Sequence, residues 1–286
     1  MKIPLQELRP VIRMNDEYLS IGFRNVDRTE NQTAYVTCLN FLNSLPYFKE
    51  YKLRTYELLQ LERGMTVLEA GCGLGDDAFR IAEQIIPGGK VVAFDASAVM
   101  IAKARSNERS INLPVEFQTG DIRKLPFPDH SFSRCRVDRV LQHIPQPETA
   151  VFELVRVLEP YGILLAYDND WGTFSIASES HDITCLLTRF WANSFTNSQI
   201  GRDLRELFID SDLSDIKIYP STCILTDFEK ADKVYNLRET VRRAAADNII
   251  SQDQGYRWIE ELITRTREGC FKTSLTACTV VGRKYP

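Results

Sequence analysis

The strongest constraint on this chain is an alternation. Between residues 64 and 169, short apolar β-type runs take turns with helical patterns: MTVLEA (65–70), DDAFRIAEQII (76–86), then KVVAFD (90–95). A period of about two and a period of about 3.6 cannot both hold over one segment, so such alternation predicts strands of a parallel sheet joined by helical crossovers. In the first helical stretch Ala78, Phe79, Ile81, Ala82, Ile85 and Ile86 fall along one stripe, and Pro87-Gly88-Gly89 closes it. A helix near 97–108, strands at PVEFQT (114–119) and SFSRCRV (131–137), a helix near 147–158 and a strand at ILLAYD (163–168) continue the series.

Beyond Asp170 the texture changes. Helical patterns at about 178–192 and 199–209 precede a strand at DIKIYP (215–220). Two further helices, near 227–247 and 252–267, precede a last strand at LTACTVVGRK (275–284). Ser251-Gln252-Asp253-Gln254 reads as a capping box and Gly269 as a helix stop. Residues 1–63 look mainly helical and hold Tyr18, Phe23, Tyr35, Phe41, Tyr47, Phe48, Tyr51 and Tyr56. Each aromatic is more often core than ligand contact, yet a segment this aromatic suits a cover over the edge of a sheet.

Charge and cysteine usage narrow the class. Thirty-five basic against 39 acidic residues leave a net charge of -4, and no basic tract exceeds two residues. The electrostatic footprint of a nucleic-acid binder is missing. Cysteines at 38, 72, 135, 185, 223, 270 and 278 form no C-x-x-C pair and no zinc-type spacing with histidine, so no metal site is expected and the thiols read as reduced. The N-terminal MKIPLQELRPVIRMND lacks an apolar signal core, and no run approaches the ~18 apolar residues of a membrane span. A cytoplasmic protein is expected, with homo-oligomerisation left open.

The stretch VLEAGCGLGDD (67–77) carries the chemistry. In open α/β sheets a ligand lies beyond the carboxyl ends of the strands, and the first strand-to-helix turn is its usual floor. A dinucleotide wants G-x-G-x-x-G and a free, positive helix N-terminus for its pyrophosphate. Here the spacing is G-x-G-x-G, and Asp76 and Asp77 fill the first helical turn with negative charge. A sulfonium nucleoside bearing an ammonium group has the opposite demand, close backbone approach with carboxylates nearby, and Glu69 stands just ahead of the glycines to face that ammonium. Acidic residues at a helix start also complement its dipole, worth about 0.3–1 kcal/mol each. That bland reading is kept for Asp76 and Asp77.

Over about 52–170 the chain resembles the class I S-adenosylmethionine-dependent methyltransferases, in the small-molecule branch similar to the ubiquinone/menaquinone methylases. VLEAGCGLG resembles that family's first motif. VVAFDAS resembles its second-strand acid, Asp95 lying 95 - 75 = 20 positions past Gly75. TGDIRKLPFPDHSF and VLQHIPQPETAVFELVRVLEPYG resemble the stretches around the adenine and after strand four. The resemblance implies an α/β, Rossmann-like, seven-stranded, mostly parallel sheet with helices on both faces and the last strand antiparallel. A helical cover over 1–63 would precede a methyltransferase domain over 64–286, with helical insertions at about 171–212 and 227–268.

It also implies roles. Asp95 and Ala96 would meet the ribose; Asp121, Ile122 and Met100 the adenine. Glu69, Gly71, Cys72, Gly73 and Gly75, with Arg136 and Val137 at the exit of strand four, would line the methionine arm. Lys52 and Arg54 lie on a helix used near the cofactor carboxylate. Two departures, Ser133 where an Asp is usual and Tyr161 in place of a turn glycine, remove no cofactor contact.

Methyl transfer from a sulfonium is an in-line displacement, which asks mainly for alignment and exclusion of water. His143 in VLQHIP is the candidate base, since histidine titrates near neutrality, with a structural role of equal weight. His130 suits an exposed turn, and His181 lies in the insertion. The acceptor is expected to be a small organic molecule, such as a secondary metabolite or a quinone or phenol. It would sit among the N-terminal cover, the segment with Asp168, Asp170 and Trp171, and helices carrying Trp191, Tyr235 and Trp258. A nicotinamide-dependent oxidoreductase and a non-catalytic S-adenosylmethionine-binding module remain the alternatives.

Overall fold

In the computed structural model, which describes residues 18–286, the alternation resolves into eight strands and twelve α-helices. The cover expected over 1–63 is described from Tyr18 onward; its first 17 residues lie outside the described part. What is described of it is helical: α1 (Leu19–Gly22), α2 (Gln32–Ser44) and α3 (Pro46–Leu58). Then come β1 (Thr66–Ala70), α4 (Asp76–Ile85), β2 (Lys90–Asp95), α5 (Ala98–Arg105), α6 (Arg109–Asn112), β3 (Val115–Thr119), β4 (Phe132–Asp138), α7 (Pro147–Val157) and β5 (Leu158–Asn169).

After β5 the order is β6 (Ser175–Ile176), α8 (His181–Ala192), α9 (Ile200–Asp210), β7 (Leu213–Leu225), α10 (Phe228–Tyr235), α11 (Leu237–Ala246), α12 (Gln252–Arg267) and β8 (Thr273–Lys284). The helix read over 227–247 is two helices. Asn236, at φ 50°, takes the left-handed conformation that asparagine tolerates better than most residues, and breaks it. The capping box of α12 forms as read: the Ser251 hydroxyl accepts from Gln254 N at 3.1 Å, and Gln254 Oε1 from Ser251 N at 2.7 Å. Gly269, at φ 72°, follows that helix.

The sheet order is β3-β2-β1-β4-β5-β8, with β7 on the far side of β8. The first five strands are parallel; β8 runs antiparallel between β5 and β7. The eighth strand, beyond the seven expected, is the two-residue β6, which pairs with the start of β8 at Ser274 and Thr273. Strand order reverses between β1 and β4, so the ends of β1, β2 and β4 open onto one crevice.

Apolar packing divides into layers. Residues of α4 and α5 pack on one face of the sheet, including Phe79, Ile81, Ile85 and Ile101. Val151, Leu154, Leu204 and Phe208, from α7 and α9, pack on the other. A further cluster lies past the strand ends. It joins Tyr35, Leu42, Phe48 and Tyr51 of the cover to Trp171, Trp191, Phe195, Tyr235 and Trp258 downstream of β5. Cover and post-β5 helices therefore fold against each other, and the crevice lies beneath them.

Candidate active site

The three glycines after β1 do three different things. Gly71, at φ 75°, has no room for a side chain: a Cβ would come within 2.1 Å of Val140 Cγ2. Gly73, at φ 50°, faces open space, with only Leu39 Cδ1 at 3.4 Å. Gly75, at φ 79°, precedes α4 and sits against the Phe117 ring, where a Cβ would approach to 2.8 Å. The N–H groups of Gly71 and Cys72 both donate to the Phe94 carbonyl, at 2.6 and 3.1 Å, which draws the turn onto the end of β2. Gly71, Cys72 and Gly73 line a cavity of about 540 Å³; Gly75 serves packing instead.

Asp95 closes the turn from the neighbouring strand. Its Oδ2 accepts from Gly73 N and its Oδ1 from Ser97 N, both at 2.8 Å. Burial pushes its carboxyl up against those two bonds. Each oxygen keeps a further lone pair. The cover reaches this point too: Asp27 accepts from the Ser97 hydroxyl, from Ala98 N at 2.8 Å and from Val99 N at 3.3 Å, capping α5 from another element. Met100, Ala96, Ile122 and Asp121 line the same end. Asp121 spends its carboxylate on Arg123, at 2.6 to 3.1 Å.

At the centre lies a buried charge cluster. Arg136 is fully buried; its Nη1 donates to Glu69 Oε1 at 2.5 Å, its Nη2 to Asp138 Oδ2 at 2.6 Å and its Nε to Thr55 Oγ1 at 3.1 Å. Glu69 Oε2 is buried and, among the described residues, without a hydrogen bond. Asp76 and Asp77 do more than complement a helix dipole: Asp76 accepts from Asn43 Nδ2 at 2.8 Å, and Asp77 from Lys52 Nζ at 2.7 Å and from the Tyr56 hydroxyl. Burial opposes the Asp77 charge, but Lys52 and Arg136 outweigh it and hold that carboxyl well below the usual range. The acidic pair thus fastens α2 and α3 to the glycine turn.

Several sequence-predicted residues stand elsewhere. Arg54 is on the exposed side of α3, paired with Glu57 at 2.7 Å and lying over the Tyr219 ring; Lys52, on the opposite side, lines the cavity. Arg136 and Val137 do not line it, whereas Asp138 and Arg139 do. Side chains alternate along β4, so Arg136 turns toward α3 and Val137 into the core beside Leu154. The lining residues sit one step further on, where the strand ends.

The far end of the cavity is aromatic: Tyr47, Phe48, Tyr167, Trp171, Trp191, Phe195 and Tyr235. Tyr51 stacks on Tyr167 at 3.9 Å with rings 1° apart, and its hydroxyl lies 3.2 Å from both oxygens of Asp138. Of the residues named from the sequence, Asp168 and Asp170 are not at the wall. Asp168 accepts from Gln142 N and Asn169 N, and Asp170 binds Arg202. Trp258 is buried in the core, with its indole N–H on Thr184 Oγ1 at 2.8 Å.

His143 lines the cavity, but the structure corrects the expectation that it titrates near neutrality. Burial, with Arg24 and Arg139 nearby, pushes it down to about 3. Its tautomer follows from its neighbour. Gln142 Oε1 accepts the Trp171 indole N–H at 2.8 Å, and an indole nitrogen only donates. That fixes the Gln142 amide, whose Nε2 therefore donates to His143 Nε2 at 3.3 Å. The ring proton must then sit on Nδ1, which is buried beside the Ser20 main chain without a completed hydrogen bond. His143 is a neutral donor, poorly suited to take a proton.

His130 and His181 do not reach the cavity. Sequence reasoning missed Arg24, Asp27, Asp138, Arg139 and Gln142. The strand-exit pair Asp138-Arg139 was readable from the period of β4, while Arg24 and Asp27 carry no local signal. All seven cysteines are free, four of them buried. Among the described residues no group of His, Cys, Asp or Glu side chains is arranged to hold a metal ion, and no helix is long and apolar enough to cross a membrane.

A parallel sheet with reversed order, a bare glycine turn and a carboxylate closing strand two define a Rossmann-like nucleoside-binding enzyme. The methyltransferase-domain profile matches residues 61–261. This chain belongs to that family, the class I S-adenosylmethionine-dependent methyltransferases. It is 32% identical over 253 residues to an uncharacterized 37.1 kDa protein in transposon TN4556 of Streptomyces fradiae, covering 88% of this chain and 72% of that one. It is 33% identical over 131 residues to a demethylmenaquinone methyltransferase of Listeria welshimeri, covering 44% of this chain and 56% of the relative. The chain thus spans little more than half of that relative's length. Its fold is similar to the crystal structure of the YcgJ protein of Bacillus subtilis, with a TM-score of 0.59 at 19% identity over 83% of this chain and 99% of the other.

Proposed function

We propose that this methyltransferase modifies a small organic acceptor, with cofactor and acceptor sharing the one cavity between the strand ends and the helical cover. The carrying observation is continuity: a single space of about 540 Å³ is lined by Asp95 at one end, Glu69 in the middle and Trp171 at the other. That size falls within the roughly 300–1,000 Å³ usual for small-molecule pockets.

The residues present fit S-adenosylmethionine. Gly73 leaves open space where any side chain would intrude, Asp95 has acceptor capacity for ribose hydroxyls, and the unpartnered Glu69 Oε2 suits an ammonium group. Met100 and Ile122 offer apolar contact to the adenine, beside Asp121. When bound, the cofactor supplies an electrophilic methyl on a sulfonium. The chain's own work is to orient and to exclude water. Cover residues Asp27, Asn43 and Lys52 hold the roof against the strand ends, and the aromatic chamber confines the acceptor. His143 stays neutral at the cavity wall, its Nδ1–H buried toward the Ser20 main chain, and takes no proton.

The experiment is calorimetric titration with S-adenosylhomocysteine and with NAD, followed by a labelled-methyl assay over candidate acceptors. Binding of the former and transfer to a small molecule are expected. NAD binding in its place would support the oxidoreductase, and cofactor binding without transfer to any acceptor the non-catalytic module.

A further inference from the structure

Arg139 immediately follows β4 and lines the cavity. Its φ of 56° lies in the left-handed region, which a bulky residue adopts only when its surroundings impose it. Here the imposition is a main-chain bond from Arg139 N to the Tyr167 carbonyl at 2.8 Å. The guanidinium lies 5.1 Å over the Phe48 ring, and its Nε reaches Asp138 Oδ1 at 3.3 Å, the long end of a hydrogen bond. Among the described residues no other hydrogen bond to that guanidinium is formed.

Asp138 pairs with it through Nε alone and is shared. The same carboxylate takes Arg136 Nη2 at 2.6 Å and the Tyr51 hydroxyl. Arg24, from the cover, also lines the cavity and donates to the Ser194 carbonyl, an uncharged partner. Burial first, and then the charges of both arginines, depress the proton affinity of His143. The wall of the aromatic chamber therefore presents a planar guanidinium fork whose two terminal nitrogens make no hydrogen bond among the described residues. Guanidinium forks match carboxylates in shape as well as charge.

We propose that the methyl acceptor carries a carboxylate and that Arg139 binds it, making Arg139 the residue that selects acidic over neutral acceptors. This rests on the methyltransferase reading, which assigns the aromatic chamber to the acceptor. The competing occupant of Arg139 is the cofactor's own carboxylate, and the test separates the two.

Protein saturated with S-adenosylhomocysteine is titrated with benzoate and benzamide, and with indole-3-acetate and indole-3-acetamide. Each acid is expected to bind about tenfold or more tightly than its amide, the ratio of one hydrogen bond to a charged group. Arg139→Gln should abolish the preference and leave S-adenosylhomocysteine affinity within about twofold, while Arg139→Lys retains part of it. Acids binding no better than amides, neither acid binding at millimolar concentration, or an equal loss of S-adenosylhomocysteine binding in Arg139→Gln overturns the proposal. Should that variant fail to melt cooperatively, the acid-to-amide ratio of the unaltered protein decides. Failure of S-adenosylhomocysteine to bind the unaltered protein rejects the methyltransferase reading instead.

Discussion

The two carboxylate oxygens of Glu69 differ: Oε1 holds Arg136 at 2.5 Å, while Oε2 is buried with no hydrogen-bond partner among the described residues. Burial pushes this carboxyl up, opposed by Arg136, whose guanidinium keeps its own proton. One oxygen is thus structural, and the proposed role of the other is to meet the ammonium group of the cofactor.

Glu69→Gln should therefore act on both. Removing one member of a buried ion pair exposes Arg136 to a reduced counter-charge, softened by Asp138, so the melting temperature should fall. S-adenosylhomocysteine should bind about 1.5–3 kcal/mol more weakly in calorimetry, the range for a hydrogen bond between charged groups. Unchanged affinity with a lowered melting temperature would leave Glu69 a structural role alone.

Asp95→Ala removes an acceptor that organises Gly73 and Ser97 as well as one aimed at the ribose. A loss of about 1.5–3 kcal/mol in cofactor affinity is expected. A dissociation constant equal to that of the unaltered protein would take Asp95 out of the site.

The Asp77 latch sets a pH dependence. Its folded value lies below the ~3.9 of an unfolded aspartate, so the folded state binds the proton less well. Its stabilisation is complete above about pH 4 and fades as pH falls through the depressed folded value. Asp77→Asn should cost about 1.5–3 kcal/mol at pH 7 in urea unfolding, and the gap to the unaltered protein should narrow below about pH 4. A constant gap from pH 7 to pH 3 contradicts the assignment.

For His143 the expectation is spectroscopic. With three histidines in the chain, nitrogen NMR can resolve each ring, and His143 should remain the neutral Nδ1–H tautomer from pH 8 down to about 5, well above its value of about 3. An imidazolium signal near pH 6.5 would restore it as a candidate base. Gln142→Leu frees Nε2 and should allow both tautomers.

The glycines give a separable pair. Gly71→Ala meets Val140 and needs a positive φ, so both stability and cofactor binding should suffer. Gly75→Ala meets Phe117 outside the cavity and should lower the melting temperature while the folded fraction still binds. Equal binding loss in both variants would put Gly75 in the site.

How much of this was legible in the sequence depended on range. Strands β1 to β5 announced themselves because each is an apolar run bounded by local turn chemistry, and the capping box at Ser251 is a four-residue signal. The two-residue β6 and the break at Asn236 exist because of partners elsewhere in the chain. Gly71, Gly73 and Asp95 were readable because a turn and a strand end fix them. Arg136 and Val137 were misplaced by one pleat, and Arg54 by about half a helical turn from Lys52, because the resemblance names a neighbourhood and not a face. His143 looked titratable because the burial that silences it, with Arg24 and Arg139 nearby, exists only in the folded chain.

The antiparallel β8 has a consequence for synthesis. It follows the other seven strands in the sequence, yet it lies inside the sheet, between β5 and β7. A nascent chain that has emerged only as far as Gly269 leaves β5 with an open edge and β7 with no neighbour at all. The wall behind the aromatic chamber can then be completed only when β8 joins β5 to β7, which makes this strand the keystone of the sheet.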